Sequence, residues 1–240
     1  MKPHIRKILR KIRSVGTFWM AERSEEDLLA TREYELGIVL DMIPSRGRIL
    51  EIGAGNGWQA QLLENRGYDV SAIDIPSSEY RTSRVWPVTE YDGKKIPFED
   101  NTFNIIFSSN ALEHISHVYE FQKEIHRVLM PDGVVLHVLP SSSWSVWHSI
   151  AHILRYWTMP VPHGEQAGNS LTEIYYFSRL WWTRLFRETG WTVMVQDSNR
   201  LFYTGCGIMD SRLNISIRTK LSYVLGSACN IFVLKAVAKH

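Results

Sequence analysis

Ile49-Leu50-Glu51-Ile52-Gly53-Ala54-Gly55-Asn56-Gly57 constrains the fold of this chain more than any other stretch. A short apolar run ends in a carboxylate and then in glycines at every second position, the pattern of a buried strand entering a turn where backbone must approach something closely. Trp58 to Arg66 reads as a helix, closed by Gly67 where a left-handed C-terminal residue is usual. Strand, glycine loop and helix together form the nucleotide-binding corner of a doubly wound α/β domain.

Spacing narrows the nucleotide. The dinucleotide fingerprint is G-x-G-x-x-G, whereas Gly53, Gly55 and Gly57 give G-x-G-x-G. No lysine follows the loop, which excludes the P-loop of nucleoside triphosphate enzymes. A second strand, Tyr68 to Ile73, ends in Asp74, about 20 residues beyond Gly53, where a carboxylate can accept both hydroxyls of a ribose.

These residues, with three further stretches, resemble the class I S-adenosylmethionine-dependent methyltransferases, in particular their small-molecule enzymes. Leu50 to Gly57 matches the family's first motif without departure, and Ala72-Ile73-Asp74-Ile75 its ribose and adenine segment. Asp92 to Asn104 resembles the segment whose leading aspartate reaches the adenine amino group. Ser108-Ser109-Asn110-Ala111-Leu112-Glu113-His114-Ile115 resembles the strand end facing the methionine part of the cofactor. Arg127 to Gly133 matches a helix-to-strand turn, with Asp132 where glycine is commoner. The likeness is close over residues 45–140 and loose over 178–240.

The resemblance implies S-adenosyl-L-methionine as cofactor, held by Glu51, Gly53, Ala54, Gly55, Gly57, Asp74, Ile75, Asp92, Gly93 and Asn110. Glu51 would lie near the amino acid end, Asp74 on the ribose and Ile75 on the adenine. Glu51 also suits a solvated or capping carboxylate, and Asp92, before Gly93, a plain turn. The implied fold is a doubly wound, seven-stranded Rossmann-like α/β sheet, mostly parallel, with an antiparallel last strand between its neighbours.

Strands are expected at about 48–52, 69–74, 85–89, 104–109 and 133–139, with a final pair at Trp191–Asp197 and Asn230–Val237. A helix over about 117–129 would turn Val118, Phe121, Ile125, Val128 and Leu129 to the core, and Ser178 and Gly190 bracket another. Residues 1–44 read as an N-terminal helical extension, with a helix capped by Ser24 running to about Met42. Residues 45–240 then form the catalytic domain, with an insertion at 140–177 as a helical substrate cover.

With 240 residues, 45% hydrophobic and 22% charged, the composition is that of one globular enzyme domain. A net charge of +2 argues against bulk electrostatic binding of nucleic acid. Cys206 and Cys229 suit reduced thiols in a cytoplasmic setting, with one disulfide left open. No signal peptide or spanning helix is visible. Oligomeric state is not legible.

A hydroxyl acceptor benefits from a general base. His114 follows the strand facing the methyl position, and His163 and Glu165 stand in a small, polar loop between aromatic stretches, so these three are the candidate catalytic groups. Each also suits an ordinary surface role. His148 and His152 are four apart and could share a metal with His163 and Glu165, but lacking a fixed third ligand they make no strong signature, and no metal is expected. From Ser143 to Trp157, Trp144, Trp147, Ala151 and Leu154 form one stripe and His148, His152 and Arg155 another. Lys2, Arg6, Lys7, Arg10, Lys11 and Arg13 accompany Ile5, Ile8, Leu9 and Ile12 at helical spacing. Both patterns, over residues 1–16 and 143–157, are those of peripheral membrane contact; the second also suits an apolar substrate pocket or a helix packed on its own domain, and the first a solvated helix or a disordered arm.

The expected reaction is methyl transfer to a hydroxyl (amine or carbon in second place) of a small, glycan or lipid-like acceptor. A protein or nucleic-acid methyltransferase and a cofactor-binding scaffold stand as alternatives. The fourth strand ends in Ser108-Ser109-Asn110-Ala111, without the Asn-Pro-Pro-Tyr signature of many nucleic-acid amino methylases.

Overall fold

The structure is a computed structural model and describes residues 25–205 and 213–237; the basic segment at 1–16, Ser24 and Cys206 lie outside these residues. Alternation of apolar residues along β1 (Arg48–Ile52) sends Ile49 into the core on one face of the sheet and Leu50 into the core on the other. Both faces of this strand are covered, as expected for a central parallel strand. Its neighbours are β2 (Asp69–Asp74) and β4 (Phe103–Ser109), both parallel to it, with Glu51 level with Ala72 and Phe107.

Among the described residues the sheet has seven strands in the order β3-β2-β1-β4-β5-β7-β6, with β3 at Thr89–Glu90, β5 at Leu129–Pro140, β6 at Trp191–Ser198 and β7 at Cys229–Ala236. Only β7 runs antiparallel, wedged between β5 and β6. The chain therefore winds one way from β1 and then the other from β4, and the crevice between these two strands is the switch point where such sheets hold ligands.

On one face α3 (Val118–Val128) buries Val118, Phe121, Ile125 and Val128, and α6 (Arg179–Glu188) adds Trp182 and Phe186. On the other, Leu36 and Val39 of α1 (Glu25–Leu40) and Leu63 of α2 (Trp58–Glu64) meet Ile105 and Phe107. Caps follow the local chemistry: Ser178 accepts the Trp181 N–H at 3.1 Å, and Gly190 follows α6 at φ 87°.

One expectation is corrected. The third strand is only Thr89–Glu90, not 85–89, because Arg84 to Val88 fold against the glycine loop, where the Val85 N–H donates to the Asn56 carbonyl at 2.8 Å. Along α4 (Ser142–Tyr156) Trp144 and Ala151 are buried, while Leu154 is 58% exposed. Past α4 come a loop, α5 (Ser170–Tyr176) and, later, α7 (Ile215–Leu225).

Candidate functional site

The glycine loop is tight in the way its residues require. Gly53 has φ 71°, and a Cβ there would sit 2.4 Å from the Ala111 Cβ at the end of β4. Gly57 has φ 81°, and a Cβ there would press on Trp86 at 2.9 Å. Asp74 closes the loop: its Oδ2 accepts the Gly55 N–H at 2.9 Å and its Oδ1 the Ile75 N–H at 2.8 Å.

Above the loop lies a cavity of about 930 Å³. Gly53, Ala54, Gly55, Asp74, Ile75, Asp92, Gly93 and Asn110 all line it, together with His114, His163 and Glu165. Thus residues separated by more than a hundred positions in the chain converge on one space. Glu51 and Gly57 of the expected set do not line it. Glu51 is buried behind the loop, where burial and the Asp74 carboxylate push its carboxyl up to about 8, against a weaker opposing contact with the Ala60 backbone. One of its oxygens has no hydrogen-bond partner among the described residues. Asp92 accepts the N–H groups of Lys94 and Lys95 at 2.8 Å each, so its turn-forming chemistry is realised while it still borders the cavity.

Asn110 stands at φ 51°, a left-handed conformation that asparagine tolerates better than most residues, at the mouth of the β1–β4 crevice. With its amide oxygen turned to Arg32, it accepts from both guanidinium Nη atoms. Arg32 is a site residue that sequence reasoning missed. It reaches the cavity from α1, paired to Glu35 at 2.8 Å. Glu35 is 1% exposed and also accepts from Asn199 at 2.7 Å and the Tyr203 hydroxyl at 2.9 Å. Its only local signal was the Arg32/Glu35 spacing of three on a helix.

Beyond β4, a 3-10 turn at Leu112–His114 carries a buried Glu113 and an exposed His114. The His163 ring lies 4.6 Å from the His114 ring and 5.1 Å from Trp144. Partial loss of solvent, then the neighbouring His163, lowers the His114 imidazole below its ordinary range; partial loss of solvent does the same for His163. Burial pushes the Glu113 carboxyl up to about 8. The loop bearing His163 is held by another missed residue, Glu173 on α5. Its buried carboxylate accepts from the backbone N–H groups of His163 and Gly164 and from the Ser145 hydroxyl at 2.8 Å. His148 stacks on Trp144 and His152 contacts the Thr158 carbonyl, so neither joins His163 in one ligand set.

Comparison with known proteins places this geometry. A family model described as a methyltransferase domain matches residues 20–196. Over 105 residues the chain is 30% identical to a biotin biosynthesis bifunctional protein of Cellvibrio japonicus, covering 40% of this chain and 20% of that protein. Over 130 residues it is 28% identical to a 2-methyl-6-phytyl-1,4-hydroquinone methyltransferase of Synechocystis, covering 51% and 40%. The chain thus spans less than half the length of these curated relatives. A solved S-adenosylmethionine-dependent methyltransferase from Aquifex aeolicus shares the fold, with a TM-score of 0.56 at 17% identity over 95% of this chain and 98% of that one.

Proposed function

The chain belongs to the methyltransferase-domain family, and on that premise we propose that it moves the methyl group of S-adenosyl-L-methionine to a hydroxyl of a small, glycan or lipid-linked acceptor. The observation that supports this reading is the convergence of His114, His163 and Glu165 on the same cavity as Asp74 and the glycine loop. When bound, S-adenosylmethionine supplies an electrophilic methyl on a positive sulfur, so the protein's task is alignment and the exclusion of competing geometries.

The residues present fit that cofactor. Gly53 and Gly55 offer a Cβ-free wall, and Asp74 is a carboxylate fixed at the end of β2, facing the same cavity. Arg32 is a buttressed cation for the methionine carboxylate, and Ile75, 39% exposed, an apolar platform for the adenine. Glu51 acts from behind, setting the loop rather than touching the cofactor. His114, His163 and Glu165 would bind the acceptor and receive its hydroxyl proton. Residues 140–177 would cover it.

Turnover of methyl-labelled cofactor against fractionated lipids, glycans and proteins tests the reading. Label in a lipid or glycan fraction, absent with Asp74→Ala, supports it. Label in protein alone, or in no fraction, overturns it.

A specific observation favours the lipid-linked form of the acceptor. Beyond Ala151 the end of α4 and its following loop expose Leu154, Trp157 (75%) and Val161 (84%), an apolar edge at the insertion. No described helix is long and apolar enough to cross a membrane, so contact with a bilayer would be superficial. The Synechocystis relative, named for a phytyl hydroquinone, is consistent with an amphiphilic acceptor.

A further inference from the structure

Glu113 is 0% exposed, yet neither of its carboxylate oxygens has a hydrogen-bond partner among the described residues. A carboxylate without donors in such a place is costly, and proteins keep buried carboxylates by pairing them, protonating them or giving them a cation. The neighbouring His114 imidazole places its Nε2 4.0 Å from Oε1. His163 completes a group: one ligand atom from each of Glu113, His114 and His163 lies within 4.8 Å of the others. We propose that these three side chains form a binding site for a divalent first-row transition cation, of the Zn²⁺ or Co²⁺ type, on the acceptor side of the cavity.

The donor chemistry selects that class. Two imidazoles and a carboxylate suit borderline cations, whereas calcium or magnesium would want an oxygen-rich shell. Bonds to such ions are about 2.0–2.2 Å, so the ligand atoms must draw together from their present spacing. His114 and His163 are exposed and can rotate to do so, while buried Glu113 supplies the fixed corner.

The surroundings hold the loop in register. The Glu165 N–H donates to the Glu113 carbonyl at 2.9 Å, tying the His163 loop to the turn that bears the other two ligands. Glu173 secures the His163 and Gly164 N–H groups from the opposite side. Such outer contacts are what keep first-row sites in place. Three protein ligands also leave a coordination position open, as catalytic sites of this kind do. His114 and His163 border the cavity, so that position would take an oxygen of the acceptor, and with both imidazoles coordinated Glu165 is left to receive its proton. This purpose rests on the methyl-transfer reading; the binding itself does not.

The test therefore omits cofactor and acceptor. Full-length protein is stripped with a chelator and titrated with Co²⁺, read by its visible absorption, with Zn²⁺ as competitor. One equivalent is expected to bind, and His163→Ala and Glu113→Gln should each weaken it by at least about tenfold. His163 lies on an exposed loop, so its variant is informative even should the buried substitution unfold the chain. Failure to take up one equivalent, or wild-type affinity in His163→Ala, overturns the site. So does binding abolished by His148→Ala and untouched by His163→Ala. Cation binding without any methyl transfer would leave this site standing and remove the functional reading. Methyl transfer by stripped protein that takes up no cation would do the reverse.

Discussion

Asp74 accepts the Gly55 N–H at 2.9 Å, so the carboxylate at the end of β2 holds the glycine loop in shape as well as facing the cavity. Removing it should open the loop and delete the proposed ribose acceptor together. Hydrogen bonds to a charged group are worth about 1.5–3 kcal/mol, which converts to roughly 10- to 150-fold in affinity. Calorimetric titration of Asp74→Ala with S-adenosylmethionine should show a loss in that range, and unchanged affinity would sink the assignment.

Glu51 offers a contrast, because it is buried behind the loop rather than on the cavity wall. Burial and Asp74 raise its carboxyl to about 8 from an ordinary 4.5. The folded state then binds a proton that the unfolded state releases, so this group lowers stability as pH rises from about 4.5 to about 8 and adds nothing further above that. Glu51→Gln carries no titrating proton. It should match the wild type near pH 4.5 and gain on it by up to a few kcal/mol by pH 8, in denaturant melts at both pH values. Its cofactor affinity should fall less than that of Asp74→Ala.

These two carboxylates mark what the sequence made legible. Gly53, Asp74 and the strands around them follow from local chemistry: a turn needing positive φ, a strand end, a helix start. The 3.6-residue spacing likewise foretold that Phe121 and Ile125 would be buried. Arg32, Glu113 and Glu173 were not singled out, because each takes its meaning from partners far along the chain. Arg32 meets Asn110, and Glu173 meets Ser145 and the His163 backbone. Periodicity cannot report such pairings.

Arg32 should matter to the cofactor more than to the fold. Replacing it with Gln removes the only described arginine on the cavity wall while Glu35 keeps its bonds to Asn199 and Tyr203. Loss of one charge-assisted contact predicts a drop in cofactor affinity of about 10-fold or more. A Lys at this position should recover part of it, since the charge returns without the forked geometry. Equal affinity in wild type and Arg32→Gln would exclude the carboxylate role.

Gly164 probes the His163 loop, proposed to face the acceptor, without altering a polar group. A Cβ there would lie 2.8 Å from the Phe177 ring and 3.5 Å from the Glu113 carbonyl. The overpacking should cost about 1–3 kcal/mol and push His163 and Glu165 away from the turn bearing His114. Cofactor affinity of Gly164→Ala should stay near wild type, while kcat for methyl transfer falls. A variant that loses cofactor binding and turnover together would show that the loop belongs to the donor side instead.

The apolar edge at the end of α4 yields the remaining prediction. Trp157 and Val161 stand largely in solvent, Leu154 beside them, where an isolated domain gains nothing from three large apolar side chains. A bilayer surface would repay their exposure at roughly 1.5–3 kcal/mol for each fully buried side chain. The full-length protein should therefore pellet with anionic vesicles, and Leu154→Ser with Trp157→Ser should weaken that binding by at least about tenfold. The serines lie outside the core, so the melting temperature should hold. Truncation of residues 1–16 separates the basic segment's share: a chain that pellets without it relies on α4, and one that ignores vesicles at full length has no membrane contact.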